Sequence, residues 1–323
     1  MKAVQFTTTG GPEVLEVVDI PAPVAGPGQV LVRQQAIGIN FIDTYHRSGL
    51  YPVKLPSRLG MEGAGIVEAV GDGVTRFKIG DLIAYASGPL GAYAELHTVV
   101  AERAVRLPDG VDAATGAAAM LKGMTAEFLL RRCYPVKAGE TILVHAAAGG
   151  VGSILVQWAK HLGAKVIATA GSEDKAARAR SLGADHVILY RDQDVAAEVR
   201  KITDGKGVPV AYDSVGAATF EGTLGSLARR GLFVSFGNAS GPVPPFAPSR
   251  LQMAGSLFFT RPTMGDYQAT TAELDESAAA LFEVIKSGAV KIDIGQTFPL
   301  AEARRAHEAL EGRETVGASL LIP

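Results

Sequence analysis

Cysteine is nearly missing: Cys133 is the only one in 323 residues. A single thiol excludes an intramolecular disulfide framework and any zinc site that needs two or more thiolates. Charge of one sign is missing too. Thirty-one Lys and Arg face 33 Asp and Glu, for a net charge of −2, and no basic stripe runs along the chain. That balance offers no electrostatic footprint to nucleic acid or to an acidic membrane. No run of 18 apolar residues occurs, so no transmembrane helix is expected. Met1-Lys2-Ala3-Val4-Gln5-Phe6 reads as a short strand and lacks the apolar stretch of a signal peptide. Tandem repeats and low-complexity tracts are also absent. The expectation is a cytoplasmic enzyme or binding protein.

Glycine is what the chain has in excess. Thirty-eight glycines stand against about 23 at an average usage of roughly 7%. Hydrophobic residues make up 47% and charged residues 20%, the proportions of a globular chain. The length predicts two domains, at about 150 residues each.

Residues 1–122 read as mostly β, with few helices. Val30-Leu31-Val32, Gly65-Ile66-Val67-Glu68-Ala69-Val70 and Asp81-Leu82-Ile83-Ala84-Tyr85 are β-branched runs. Turn signals such as Gly26-Pro27-Gly28 and Gly71-Asp72-Gly73 separate them, as in a compact barrel-like domain. Residues 111–132 are Ala-rich and helical in pattern. Strands at 141–145, 165–170, 186–189, 208–213 and 231–236 then alternate with helices at 152–162, 173–182, 194–202 and 220–227. This alternation predicts an α/β unit with a doubly wound parallel sheet. A strand at 256–260, helices at 274–287 and 301–311 and a closing strand at 316–322 follow.

The strongest local signal is His145-Ala146-Ala147-Ala148-Gly149-Gly150-Val151-Gly152, between an apolar strand and a helix. Glycines there let backbone approach a pyrophosphate, and the helix offers free N–H groups at the positive end of its dipole. The usual GxGxxG reads Ala147-x-Gly149-x-x-Gly152, with alanine in first place. The plainer reading is a Gly-rich packing turn, but four further βα units argue for a dinucleotide. At the end of the next strand an NAD enzyme usually carries Asp or Glu. Here the residues are Ala170-Gly171-Ser172-Glu173-Asp174-Lys175. Ser172 and Lys175 suit a 2′-phosphate, and Glu173 and Asp174 fit the first turn of a helix or would repel that phosphate. NADPH is preferred to NADH. Tyr190 is either part of that adenosine end or a half-buried strand-end aromatic.

Several stretches carry a resemblance: Gly10-Gly11-Pro12-Glu13-Val14-Leu15, Ile37-Gly38-Ile39-Asn40-Phe41-Ile42-Asp43-Thr44-Tyr45, Leu121-Lys122-Gly123-Met124-Thr125, the glycine loop, Tyr212-Asp213-Ser214-Val215-Gly216 and Ser235-Phe236-Gly237-Asn238. The chain resembles, from end to end, the zinc-free quinone oxidoreductase branch of the medium-chain dehydrogenase/reductase superfamily, which includes bacterial NADPH:quinone reductases and zeta-crystallin. The resemblance implies a GroES-like, mostly-β catalytic domain of residues 1–123 and 262–323. A Rossmann NADPH-binding domain, residues 124–261, would be inserted in it, with a cleft for the nicotinamide. Asn40, Ile42 and Tyr45 would line the nicotinamide half. Thr125, Gly149, Gly150 and Val151 would meet ribose and pyrophosphate. Gly171, Ser172, Lys175 and Tyr190 would hold the 2′-phosphate, and Ser214, Phe236, Gly237 and Asn238 would border the rest. Relatives also imply a homodimer joined at the apolar strand 256–260; an ordinary internal strand is the plain alternative.

Zinc relatives use Cys and His where this chain has Gly60-Met61-Glu62, Ile39-Asn40-Phe41 and Leu121-Lys122. The six histidines are scattered, and none forms a helical i, i+4 pair. No metal is expected. His145, at a strand end, is read as structural more readily than as catalytic. With no metal to polarise an alcohol, an electron-poor acceptor is favoured, because the cofactor carries the hard chemistry. Asn40, Tyr45 and Lys122 are candidates to steady a developing oxyanion, and Tyr51 either lines the acceptor pocket or covers the core. Three readings stand: NADPH reduction of a quinone, reduction of an α,β-unsaturated aldehyde or ketone, and a non-catalytic NADPH-binding protein, crystallin-like or RNA-binding. The neutral charge argues against RNA.

Overall fold

The computed structural model describes residues 1–323, which form two compact units. The first comprises Met1–Met124, Thr270–Lys286 and Ile292–Pro323, and the second Thr125–Ala269 and Ser287–Lys291.

The first unit opens with β1 (Lys2–Phe6), β2 (Glu16–Asp19), β3 (Gln29–Ile39), α1 (Phe41–Ser48), β4 (Ser57–Arg58), β5 (Glu62–Val70), β6 (Leu82–Ala86), β7 (Leu96–Val100) and β8 (Ala104–Arg106). Helix α2 (Ala113–Phe128) takes the chain from the first unit into the second. There follow β9 (Thr141–Val144), α3 (Gly150–His161), β10 (Lys165–Ala170), α4 (Glu173–Ser181), β11 (His186–Leu189), α5 (Val195–Ile202), β12 (Val208–Asp213), α6 (Phe220–Ser226), β13 (Leu227–Ser235), α7 (Ser249–Met253), β14 (Phe258–Thr260) and α8 (Met264–Tyr267). The chain closes with α9 (Thr271–Lys286), β15 (Ile294–Pro299), α10 (Ala303–Glu311) and β16 (Ala318–Ile322).

In the first unit a small sheet runs β2-β1-β4, and a larger one runs β15-β16-β3-β5-β6-β8 with β7 also on β3. The alternation expected of a sheet with one wet face is clearest in the middle of β3, where Val32, Gln34 and Ala36 are buried and Arg33 and Gln35 are exposed, after a buried stretch that includes Val30. Val4, Phe6, Ile37, Leu59 and Val67 join Val30 and Val32 in one core. The antiparallel register of β3 and β5 sets Gly38 opposite Glu62, which matters for the site.

The second unit is a single sheet in the order β11-β10-β9-β12-β13-β14, parallel throughout. This is the doubly wound order whose ligand crevice lies beyond the carboxyl ends of the strands. Ile142, Leu143 and Val144 of β9 are fully buried, as a central parallel strand requires.

Some expected elements are shifted. The Ala-rich helix stops at Phe128, and a wide turn follows in which the Tyr134 N–H bonds the Leu129 carbonyl at 3.2 Å. Strand β13 begins at Leu227, four residues before its expected start at 231. Among the elements not expected are α1, α7, α8 and β15. Phe41-Ile42-Asp43-Thr44-Tyr45 is rich in strand-formers, yet the Asn40 N–H bonds Asp43 Oδ2 at 2.8 Å and starts a helix. Strand β15 contains Gly295 and ends at Pro299, and is held by parallel pairing with β16.

Candidate active site

In the first unit the residues gather around the end of β3. Because Gly38 faces Glu62 across the sheet and has no Cβ, the Glu62 carboxylate lies over it; a Cβ there would sit 2.0 Å from Glu62 Oε2. Glu62 is completely buried. Its Oε1 accepts the Leu121 N–H of α2 at 2.6 Å, and its Oε2 accepts the Asn40 amide at 2.8 Å and the Lys122 ammonium at 2.9 Å. A buried carboxylate costs several kcal/mol unless a counter-ion and donors meet it, and here one cation and two amide donors do so. Asn40 and Lys122 are therefore brought together, with one donor of each held by Glu62.

Helix α1 continues from Asn40 and carries Ile42 and Tyr45. The Tyr51 ring packs edge-on against Tyr45, with centroids 5.3 Å apart, and the Tyr51 N–H bonds the Tyr45 carbonyl at 3.0 Å. Asp43 is fully buried, and its Oδ2 accepts both the Asn40 N–H and the Tyr93 hydroxyl, the latter at 2.9 Å. Burial pushes the Asp43 carboxyl up to about 7; the hydrogen bonds from Asn40 and Tyr93 act against that rise.

In the second unit the named residues line the carboxyl ends of the strands. The turn after β9 places Ala146 at φ +51°, and Gly149 precedes the first turn of α3 with no side-chain cap. Gly152 must be glycine because a Cβ would stand 2.2 Å from the Ala146 carbonyl. The uncapped N–H groups of Gly150 and Val151 suit phosphate oxygens. After β10, Tyr190 lies over Gly171, its hydroxyl 2.7 Å from where a Cβ would be. Ser172 caps α4, Oγ accepting from the Lys175 N–H at 3.4 Å. After β12, the Asp213 carboxylate accepts the Val215 and Gly216 N–H groups at 2.7 and 3.1 Å, which fixes the turn carrying Ser214. Gly237 follows β13 and packs so closely that a Cβ would meet the Ser214 carbonyl at 2.4 Å. Phe236 and Asn238 flank it. Thr125, half-buried on α2, is where the second unit begins.

One buried network ties three of these strand ends together. His145, after β9, bonds Thr169 of β10 at 3.1 Å through Nδ1 and Thr223 of α6 at 2.9 Å through Nε2. Thr223 and Thr219 donate to Asp213 Oδ2 at 2.8 and 2.7 Å. Burial holds the His145 pKa below its ordinary value, so the ring is neutral. Its place among these hydroxyls fits the structural reading of that residue.

Residues missed from sequence were Glu62 and Asp43. A signal for each was present: a Glu in the apolar stretch Gly60–Ile66 needs a buried cation, and Asn40-x-x-Asp43 has the spacing of a helix cap. Among the His, Cys, Asp and Glu side chains, no group of three converges as a metal-ligand set.

A GroES-like unit together with a parallel dinucleotide-binding sheet defines the class, a nicotinamide-dependent oxidoreductase. Two family models match, the alcohol dehydrogenase GroES-like domain over residues 26–109 and the zinc-binding dehydrogenase over residues 150–279. The chain is 55% identical to the quinone oxidoreductase of Pseudomonas aeruginosa, over 100% of this chain and 99% of the relative. It is 45% identical to a 2-haloacrylate reductase of a Burkholderia species, over 97% of this chain and 96% of the relative. The crystal structure of Escherichia coli quinone oxidoreductase complexed with NADPH superposes with a TM-score of 0.99 at 49% identity, covering 100% of both chains. The chain belongs to the quinone oxidoreductase branch of the medium-chain dehydrogenase/reductase superfamily.

Proposed function

We propose that this chain transfers reducing equivalents from NADPH to a quinone without using zinc. The observation that carries the reading is the Glu62–Lys122–Asn40 group. The place where zinc relatives hold their metal is filled by a carboxylate already matched with an ammonium and two amide donors, and no Cys or His stands beside it. Those residues do not fit a zinc ion, so no step runs through one.

NADPH supplies the hydride when bound. Glycines 149, 150 and 152 with Val151 serve its pyrophosphate. Gly171, Ser172, Lys175 and Tyr190 serve the 2′-phosphate, where a larger residue at 171 would collide with Tyr190. Thr125, Ser214, Phe236, Gly237 and Asn238 complete the contacts, and Asn40, Ile42 and Tyr45 serve the nicotinamide. As negative charge develops on the acceptor oxygen, the remaining protons of the Lys122 ammonium and of the Asn40 amide are there to stabilise it. Glu62 keeps both groups in place and balances the buried positive charge. The Tyr45–Tyr51 pair offers an aromatic wall to a planar ring.

The second reading is reduction of an electron-poor alkene, favoured by the similarity to a 2-haloacrylate reductase. It uses the same oxyanion donors on a conjugated carbonyl. Stopped-flow oxidation of NADPH against a panel of quinones and enones decides between them. Higher kcat/KM for quinones supports the first reading; turnover of enones alone overturns it. Binding of NADPH without turnover of either class would favour a non-catalytic role.

We also propose a homodimer joined along β14 and a cytoplasmic location. The edge strand β14 presents Phe258, 57% exposed, on a sheet edge that invites a partner. The single free thiol suits a reducing compartment.

A further inference from the structure

We propose that Tyr93 and His307 are positioning residues for hydride transfer, acting through a one-way chain of hydrogen bonds that fixes helix α1. The inference rests on the assignment of Asn40, Ile42 and Tyr45 to the nicotinamide. The chain starts at the surface, where Glu311 of α10 accepts a two-pronged bond from Arg47, both contacts 2.8 Å. Arg47 then meets His307 Nδ1 at 2.9 Å. A guanidinium can only donate, so Nδ1 must accept. Burial beside Arg47 lowers the His307 pKa to about 3, so the ring is neutral and its proton sits on Nε2. That nitrogen faces the Tyr93 hydroxyl at 3.2 Å. The hydroxyl, receiving there, spends its own proton on Asp43 Oδ2 at 2.9 Å. Asp43 in turn accepts the Asn40 N–H that opens α1.

Every bond in the series has a single possible direction, and the four inner side chains are at most 1% exposed. Helix α1 has eight residues, too few to be stable alone in water. Asp43 and Arg47 are spaced i, i+4 and so share one face, and the chain grips that face at both its ends. At about 100° per residue, Ile42 and Tyr45 fall on the opposite side. The chain therefore holds one side of α1 and leaves the other to the cofactor. A helix displaced by about 1 Å at a reacting centre can cost up to 100-fold in rate, which is why the hold on α1 bears on kcat.

The test uses the full-length enzyme with NADPH and 1,4-benzoquinone. Tyr93→Phe and His307→Leu each break the chain, and both are expected to lower kcat roughly tenfold with KM for NADPH within about threefold. His307→Gln keeps an acceptor for Arg47 and a donor for Tyr93, and should restore most of kcat. Glu311→Ala changes a partly exposed side chain, removes the carboxylate partner of the buried Arg47, and should lower kcat by about twofold to threefold in the same pattern. It serves if the core variants fail to fold. Full kcat in Tyr93→Phe, or in Glu311→Ala where Tyr93→Phe is insoluble, overturns the inference, as does an equal loss in His307→Gln and His307→Leu. Asn40→Ala separates the two levels. If it changes neither kcat nor KM, the site assignment itself falls. If it is impaired while the chain variants are normal, only the positioning role falls.

Discussion

Lys122 and Glu62 form an ion pair of 2.9 Å in which the ammonium-bearing side chain is 6% exposed and the carboxylate side chain not at all. The pair is the one place in the first unit where a fully buried acid meets a nearly buried lysine, and it stands beside Asn40. Removing one member leaves the other charged and unmatched, at a cost of about 3–5 kcal/mol. Glu62→Gln should therefore destabilise by that amount in urea unfolding and lower kcat by roughly 100-fold as Lys122 and Asn40 lose their anchor. Adding Lys122→Met should return much of the stability and none of the activity. Recovery of activity in the double variant would contradict the role given to the ammonium.

Tyr190 over Gly171 makes a second prediction. Lys175→Ala should raise KM for NADPH by about 10- to 100-fold and leave NADH within about twofold, the worth of a charge-assisted bond to phosphate. Gly171→Ala should act in the same direction, because its methyl group would displace the Tyr190 hydroxyl. Steady-state titration with both cofactors measures the ratio. Equal loss for NADPH and NADH would remove the 2′-phosphate from this corner.

The His145 network predicts a different signature. Thr223→Val removes the bonds to His145 and Asp213 at once, leaving buried polar atoms unpaired. The expected cost is about 2–3 kcal/mol in thermal or urea unfolding. Because the network joins three strand ends proposed to serve the cofactor, KM should rise for NADPH and NADH alike. A stable variant with unchanged KM would confine the network to packing.

Asp43 and His307 impose opposite pH dependences. Asp43 faces Asn40, Tyr93, Lys122 and Glu62, and its pKa rises from 3.8 to about 7. Its Oδ1 is buried without a hydrogen-bond partner. Between those values the folded chain holds a proton that the unfolded chain has lost, so stability falls as pH rises. His307 faces Arg47 and Tyr93, and its pKa falls from 6.5 to about 3. Over that range the unfolded chain holds the extra proton, so stability rises with pH. From about pH 4 to 6.5 the two slopes oppose each other. Asp43→Asn should expose an upward slope, and His307→Gln a downward one, each up to about 1.4 kcal/mol per pH unit. Urea unfolding across that range reads both, and slopes of the same sign would be inconsistent with these shifts.

Much of the second unit was legible in the sequence because it follows a simple rule. Apolar strands buried on both faces give continuous runs, and β10 and β12 lie where their runs predicted, as does the edge strand β11. The glycine loop was legible for the same reason, since strand, turn and helix each leave a local mark. Helix α1 was not, because its Phe, Ile, Thr and Tyr favour a strand and only the Asp43 cap and the long-range chain to His307 decide otherwise. Glu62 stands in an apolar stretch that calls for a cation without saying which. Its partners Asn40, Leu121 and Lys122 are 22 to 60 residues away, and no local pattern encodes such a meeting.

Phe258→Lys tests the proposed dimer. A cation placed on the β14 edge should shift the sedimentation coefficient to that of a monomer and leave NADPH binding intact. An unchanged coefficient would move the interface elsewhere.

The register that sets Gly38 opposite Glu62 also limits how far this site could change its chemistry by single substitutions. Any side chain at position 38 would collide with Glu62 Oε2 at 2.0 Å and with the Ala117 carbonyl at 2.4 Å, so position 38 is closed even if Glu62 is replaced. Glu62 and Lys122 are closed in their turn, because losing either one first strands the charge of the other. A lineage that keeps the lysine is held to the carboxylate and the glycine together.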